Sequence, residues 1–435
     1  MEDFMEKVFL CGAARADITP AVGTLLYGYN PHQVSTSVHD PLNVTAAAFS
    51  NGEETVLMIA MTVGDLQNEL SDELRLLIGG ECGLPAENVI LSATHTHSAP
   101  NVSGEEGWGD VDRPYVDEIL IPGLLKASKE AVGSLKPAVI GVGTTESKVG
   151  INRRQICRGG NVILGQNPFG CYDPTMTCLS IKGEDGTGIL NLVHYGCHGT
   201  AAGCNHEISR DWSGILCDRL EKQTGVLTAF WNGAEGDVGP RLTNGQTVGD
   251  ITHVEELGGQ ATFDALKAYQ AIRGYHPGEL KLYRGEVRLP YKPLPTLEAV
   301  REKLRSYADP DSLINIQRLE YAYYRDVEKE LTSGKTEFPS HFTFPQTIVS
   351  LGSVVFIPFP YEIFSATTLR LREYSGFDHT LCLSCTNGFN AYLPSQDQIP
   401  LGGYEVDCFL YSGAYSLSPD ADQHLINESL RILGV

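Results

Sequence analysis

Short apolar, β-branched runs alternate along this chain with segments whose apolar positions recur every three or four residues. The runs "TVLMIAMTVGDL" (Thr55 to Leu66), "NVILSAT", "PAVIGVGTTES", "TGILNLVHYGCHG" and "VLTAFWNG" read as strands, being short and bounded by Gly, Pro, Asn or Asp. "LSDELRLLIGGE", "YVDEILIPGLLKASKEAV" and "WSGILCDRLEKQ" carry the helical period. From Pro295 the chain turns charged and helical with a break at Asp309-Pro310, which predicts a helical insertion over about residues 295–335. Strands resume with "FTFPQTIVSLGSVVFIPFP"; a helix is expected from Glu362 towards Glu373, then a strand at "HTLCLSCTNG" and a last helix ending at Val435. The pattern predicts an α/β fold in the mixed, α+β sense: a mixed β-sheet core flanked by helices, with a site at the strand ends. There is no internal repeat and no low-complexity segment.

Composition narrows the picture. A chain of 435 residues with 42% hydrophobic residues can bury a large core, as one domain or two closely packed ones. A formal net charge of −22 argues against nucleic acid and against electrostatic docking on anionic membranes. No apolar run reaches the length of a membrane span. The N-terminus "MEDFMEKVFLCGAARADITP" lacks the basic start and long apolar stretch of a signal peptide, so a cytoplasmic location is expected. Eleven cysteines lie scattered in apolar contexts, which suits reduced core thiols. Cys382 and Cys385 have CxxC spacing, but no second pair completes a zinc ribbon, and packing explains them better.

The chemistry collects where strands end. In "NVILSATHTHSAP" a buried strand closes on His95 and His97, which strand alternation would place on one face. His198 closes "LVHYGCHGT"; Asn232, Glu235 and Asp237 follow "VLTAFW"; Glu362 follows "SVVFIPFPY". His, His and Glu from separate segments make a zinc set. Each has a plainer reading: a lone strand-end histidine is commonly a satisfied core residue, and Glu362 would also suit a helix N-terminus. "HEISRD", from His206 to Asp211, lacks the second histidine of a zincin helix and reads as a loop.

In order along the chain, "AARADITPAVGTLLYGY", "LSATHTHSAP", "GINRR", "HGT", "SRDWSG", "WNGAEGDVGPR", "PYEIFSATTLRLRE" and "TNGFNAYLPSQDQIPLGGYE" resemble the catalytic domain of neutral, non-lysosomal ceramidases. The resemblance implies a single catalytic domain over 1–435 and a zinc-dependent hydrolase of an amide, with His95, His198, Glu362 and Tyr392 as the Zn2+ ligands. It implies further that His97, Arg153 and Tyr404 surround the scissile carbonyl. Zinc lowers the pKa of water from about 15.7 to near 7, and His97 is then the expected general base and acid. Arg153 and Tyr404 would stabilise the charge that grows on the carbonyl oxygen. Asp211 and Asp237 are candidates to orient ligand imidazoles, or else turn residues.

Departures from the family bear on the substrate. The family's Asp-Val-Ser-Pro reads Asp237, Val238, Gly239, Pro240 here. The loop after the histidine pair, "APNVSGEEGWGD", is acidic through Glu105, Glu106 and Asp110, which favours a cationic or neutral substrate. "LGGYEV" lacks the family's arginine beside Tyr404, and the family's C-terminal immunoglobulin-like domain has no counterpart in the sequence. The expected partner is a small N-acyl compound: a sphingolipid, or an N-acyl amino sugar or amino alcohol. The competing class is a non-catalytic protein that keeps the metal site for binding.

Overall fold

The computed structural model describes residues 8–105 and 108–435. Its larger sheet is built from β1 (Leu10–Asp17), β2 (Asn43–Ser50), β3 (Thr55–Met61), β4 (Val89–Ala93), β5 (Lys136–Glu146), β6 (Thr175–Gly183), β7 (Gly188–Tyr195) and β8 (Thr228–Asn232). Hydrogen bonding orders them β8-β7-β6-β5-β1-β2-β3-β4. The outermost pairs, β3 with β4 and β7 with β8, are parallel, and the pairs between them are antiparallel. A second sheet runs β9 (Leu280–Pro290), β10 (His341–Leu351), β11 (Val354–Pro358), β12 (His379–Leu383), with β11 and β12 parallel. The mixed α/β expectation is met.

The strands read as nearly continuous apolar runs because both faces of both sheets are covered. Along β3, Val56, Met58 and Ala60 point into the core between the two sheets, where they join Trp231, Phe356 and Leu381. Leu57, Ile59 and Met61 point the other way. There they meet Leu74 and Ile78 of α1 (Asn68–Cys82) and Leu124 and Ala127 of α2 (Ile121–Gly133). Val193 and Phe230 pack against Trp212 and Leu216 of α3 (Asp211–Thr224) and Val254 and Ala261 of α4 (Ile251–Gln270). The predicted insertion is α5 (Leu297–Arg305) and α6 (Asn315–Thr332), which share Val300, Tyr323 and Val327. The outer face of the second sheet, through Val355 and Ile357, carries α7 (Ser365–Tyr374) and α9 (Ala421–Leu433), with α8 (Tyr404–Leu410) between them in sequence. Helices thus cover the outer faces of two stacked sheets.

The helix expected from Glu362 begins at Ser365 instead. Glu362 and Ile363 are extended, and pair in parallel with Tyr392 and Leu393. The backbone N–H of Glu362 donates to Ala391 O at 3.0 Å, part of the same strand pairing.

The larger sheet curls until its edges approach. Asn232, at the end of β8, donates from Nδ2 to Thr94 O beyond β4 at 3.2 Å, and its Oδ1 accepts from Cys197 N at 3.1 Å. Its own carbonyl accepts from Ser384 N at 3.3 Å. The segment leaving β12 runs through this gap: Ala93 N donates to Cys385 O at 3.0 Å, and Asn387 N to Leu91 O at 2.7 Å. The carboxyl ends of β4, β8 and β12 are therefore tied together at one place. Replacing Asn232 with Ala would leave the buried Thr94 carbonyl and Cys197 N–H unpaired, and should cost about 2–4 kcal/mol of unfolding free energy in a denaturant titration. A loss below about 0.5 kcal/mol would mean that this residue does not close the sheet.

Candidate metal centre

The strand-end residues meet in one buried volume. Strand alternation is not what unites His95 and His97, because β4 has already ended at Ala93. His95 has φ of 64°, a left-handed conformation unfavourable for a residue with a Cβ. It is held there by its neighbours: His95 N donates to Val63 O at 3.0 Å, Thr96 Oγ1 to Ser209 O at 2.7 Å, and His97 N to Gly199 O at 3.2 Å. The two imidazoles consequently face each other, Nε2 to Nε2, at 3.3 Å. His198, beyond β7, brings Nε2 to 2.9 Å from Glu362 Oε2, and His95 Nε2 lies 3.7 Å from the same oxygen.

Each ring has a partner for its other nitrogen, and this sets the tautomer. His198 Nδ1 is 2.7 Å from Glu235 O and 3.0 Å from Val238 O, acceptors that require Nδ1 to carry the hydrogen. His97 Nδ1 likewise donates to Gly28 O at 3.1 Å. Gly28 has φ of 116°, and a Cβ there would lie 2.3 Å from His97 Nδ1, so only glycine permits this contact. His95 Nδ1 faces Asp65 Oδ1 at 3.1 Å. The Nε2 atoms are left with lone pairs, turned on one another and on a carboxylate oxygen. His198 Nε2 and Glu362 Oε2 are both buried and hydrogen-bonded to nothing, despite their 2.9 Å separation.

Buried acceptors that crowd together are balanced by a cation or a proton between them. His95, His198 and Glu362 offer ligand atoms all within 4.8 Å of one another, from residue types that suit zinc. The residues therefore fit a metal. Without one, the site draws in a proton. Burial disfavours a charged His95, yet Asp65 and then Glu362 outweigh it and lift its pKa to about 10. His97 is driven the other way, to about 3, by burial and by His95. Burial, followed by Arg153, pushes His198 down, while burial pushes the Glu362 carboxyl up.

The remaining sequence candidates flank the cluster. Tyr392, the register partner of Glu362, stacks its ring on His198 with centroids 6.4 Å apart. Its hydroxyl accepts from Arg153 Nη2 at 2.9 Å. Arg153 is aimed by Glu405, whose Oε1 accepts from Arg153 Nε at 2.7 Å. Tyr404, at the start of α8, packs against Tyr392 with ring centroids 5.8 Å apart. All seven candidates, His95, His97, His198, Glu362, Tyr392, Arg153 and Tyr404, thus form one connected group.

The supporting residues differ from those expected. Neither Asp211 nor Asp237 touches a ligand imidazole. Asp211 accepts from the backbone of Ala201, Ala202 and Trp212, fixing the loop after His198. Asp237 accepts from Ser365 N and Oγ at 2.8 Å, anchoring α7. The carboxylate behind His95 is Asp65, which also accepts from the Tyr27 hydroxyl at 2.6 Å. Asp65 stands in the sequence as a carboxylate at the end of "TVLMIAMTVGD", where the apolar pattern predicts a strand that in the structure stops at Met61. Glu235, which accepts from Cys385 Sγ at 3.1 Å, and Glu405 complete the buried acids. All eleven cysteines are free. Cys382 is a core residue, while Cys385 stands 3.7 Å behind His95 Nδ1, its thiol kept protonated chiefly by burial. His206 lies outside the cluster and bonds Val34 O, as a loop residue would.

The departures from the family also take physical form. Gly239 pairs with Ile151, and a Cβ there would sit 2.6 Å from Thr247 Cβ, so Thr247 occupies the space a serine would need. Arg154 donates to Gly402 O at 2.6 Å and to Glu405 at 2.7 Å, bringing a positive charge to the segment before Tyr404. The loop after the histidines is less acidic than its sequence: burial, then Asp65, lifts Glu105 to about 8. Glu106 lies outside the described residues, and Asp110 is exposed.

Comparison with known proteins bears on the family and on the fold. Residues 9–257 match the N-terminal part of the neutral/alkaline non-lysosomal ceramidases. Neutral ceramidase B of Dictyostelium discoideum is 29% identical over 270 residues, and neutral ceramidase A of the same organism 27% over 271. Each alignment takes in 56% of this chain but 37% of the relative, so the matched region is little more than a third of those proteins. The fold is that of the neutral ceramidase from Pseudomonas aeruginosa, with a TM-score of 0.75 over 98% of this chain and 74% of that one, at 19% identity. A ceramidase complexed with C2 gives 0.75 over 98% and 75%, at 17% identity. Among the described residues no helix is long and apolar enough to cross a membrane. From the family match over residues 9–257, the chain belongs to the neutral/alkaline non-lysosomal ceramidase family.

Proposed function

We propose that this protein is a zinc-dependent amidohydrolase that cleaves the N-acyl bond of a ceramide-like substrate. The observation that carries this reading is the buried convergence of His95, His198 and Glu362, in which His198 Nε2 and Glu362 Oε2 have no hydrogen-bond partner. Tyr392 completes the ligand set, its phenol pushed up by burial and drawn back towards ionisation by Arg153. Bound there, zinc supplies Lewis-acid chemistry: it acidifies water and polarises a carbonyl.

His97 handles the protons. Its Nδ1–H is committed to Gly28 O, so the lone pair is on Nε2, which accepts a proton and returns it to the departing amine nitrogen once metal displaces the His95 proton that, after burial, holds His97 down. Arg153, fixed by Glu405 and charged even in its buried position, turns its remaining N–H groups on the carbonyl oxygen. The Tyr404 phenol, kept neutral chiefly by burial, donates to the same oxygen. A second reading, an N-acyl compound with a smaller and more polar amine part, is favoured by Glu105 beside Tyr27 and by Thr247 in the place of a serine side chain. Release of free amine from a panel of N-acyl compounds that includes a short-chain ceramide, with and without chelator, tests both; chelator-insensitive turnover or silence across the panel would contradict them.

Three outcomes follow for the site. His95→Ala and Glu362→Ala should lose metal, whereas His97→Ala should keep it and lose about 10²–10⁴-fold in kcat; full activity in the His97 variant would refute its role. Asp65→Asn should weaken metal binding about 10–100-fold in a competition titration, and an unchanged affinity would mean that Asp65 does not support His95. Because the metal-free protein holds a proton on His95 up to a pKa of about 10, metal must displace it. Affinity should therefore fall as pH falls, by about tenfold per unit across the neutral range, with proton release seen by a pH indicator. An affinity that does not change with pH would contradict the shared site.

A further inference from the structure

We propose that Tyr29 is a substrate-binding residue whose hydroxyl hydrogen-bonds an oxygen on the amine half of the substrate. The inference rests on the amidohydrolase reading above. The Tyr29 hydroxyl is buried and has no hydrogen-bond partner in the protein, although it is both donor and acceptor. A buried polar group without a partner is unfavourable and uncommon, and calls for a ligand or a water that a ligand displaces. Tyr27, two residues away, makes the contrast: it packs as close to His97 as Tyr29 does, both at 5.3 Å between ring centroids, yet its hydroxyl is engaged by Asp65.

The loop bearing Tyr29 is fixed. Leu26 N donates to Gln33 O at 2.7 Å, Tyr27 N to Ala99 O at 2.8 Å, and His97 Nδ1 to Gly28 O at 3.1 Å. The phenol is therefore held where it stands, not drifting in search of a partner. Burial and then Asp211 push its pKa up, so it stays a neutral donor, suited to a neutral oxygen. Its position chooses the half of the substrate. On that reading His97 returns the proton to the leaving nitrogen, so Tyr29, packed on His97, is assigned to the amine half, and Arg153 and Tyr404, which contact Tyr392, to the carbonyl oxygen. The ligand class is an N-acyl amino alcohol.

The test compares wild-type protein and Tyr29→Phe on a matched pair, an N-acyl 2-amino alcohol and the N-acyl alkylamine that lacks the hydroxyl. For the hydroxylated amide, kcat/KM should fall about tenfold, mainly through KM, with less than about a twofold change for the other. Equal losses on both amides, or none on either, would overturn the assignment. Since the hydroxyl has no protein partner to lose, the Tm of the metal-loaded variant should equal or exceed that of the wild type; a clear drop would reveal a structural role and overturn it as well. Wild-type protein that cleaves neither amide would instead overturn the amidohydrolase reading, a separate and recognisable result.

Discussion

Two imidazole nitrogens and a carboxylate oxygen meet in the interior of this protein, two of the three with no hydrogen-bond partner, and the surrounding structure is arranged around that fact. Each ring's Nδ1 is tied to an acceptor, Asp65 for His95, two carbonyls for His198 and Gly28 for His97. Those bonds settle which nitrogen bears the proton, and so compel the lone pairs inward. Unbalanced, such a cluster would be strongly destabilising. A divalent cation would make it favourable, and without one a proton on His95 takes its place.

The fold provides this by bringing strand ends to one point. Parallel pairs β3/β4, β7/β8 and β11/β12 send their carboxyl ends the same way, and the Asn232 side chain draws the edges of the larger sheet together over the segment from Ser384 to Asn387. His95, His198, Glu235 and Cys385 follow directly. Glu362 and Tyr392 arrive together because their backbones pair, so one register error would displace both.

The elements were legible in the sequence because covered sheets and amphipathic helices write distinct periods into it. The strands of Thr55, Asn88, Pro137, Thr187 and Val226, and the helical insertion, begin close to where the pattern puts them, although the strand from Thr55 ends at Met61 and not at Leu66. The strand-end histidines and Glu362 stood out because ionisable groups closing apolar runs are uncommon there. The approach of His95 to His97, however, depends on a left-handed residue and on bonds to Val63, Ser209 and Gly199, contacts that local pattern cannot express. The resemblance to ceramidases supplied Tyr392, Arg153 and Tyr404, which no spacing would have joined. Asp65 stays hidden because its stretch looks like a continuing strand, and for Asp211 and Asp237 the sequence leaves two roles open, because a buried carboxylate that organises backbone looks like one that orients an imidazole; the structure selects the first.

The account stands on a single metal ion between His95, His198 and Glu362. Anomalous diffraction from crystals of zinc-loaded protein, collected on both sides of the zinc edge, tests this most directly. The account predicts one strong peak within about 2.0–2.2 Å of both Nε2 atoms and of a Glu362 oxygen. A site with no peak, or with zinc bound only elsewhere on the protein, would contradict it.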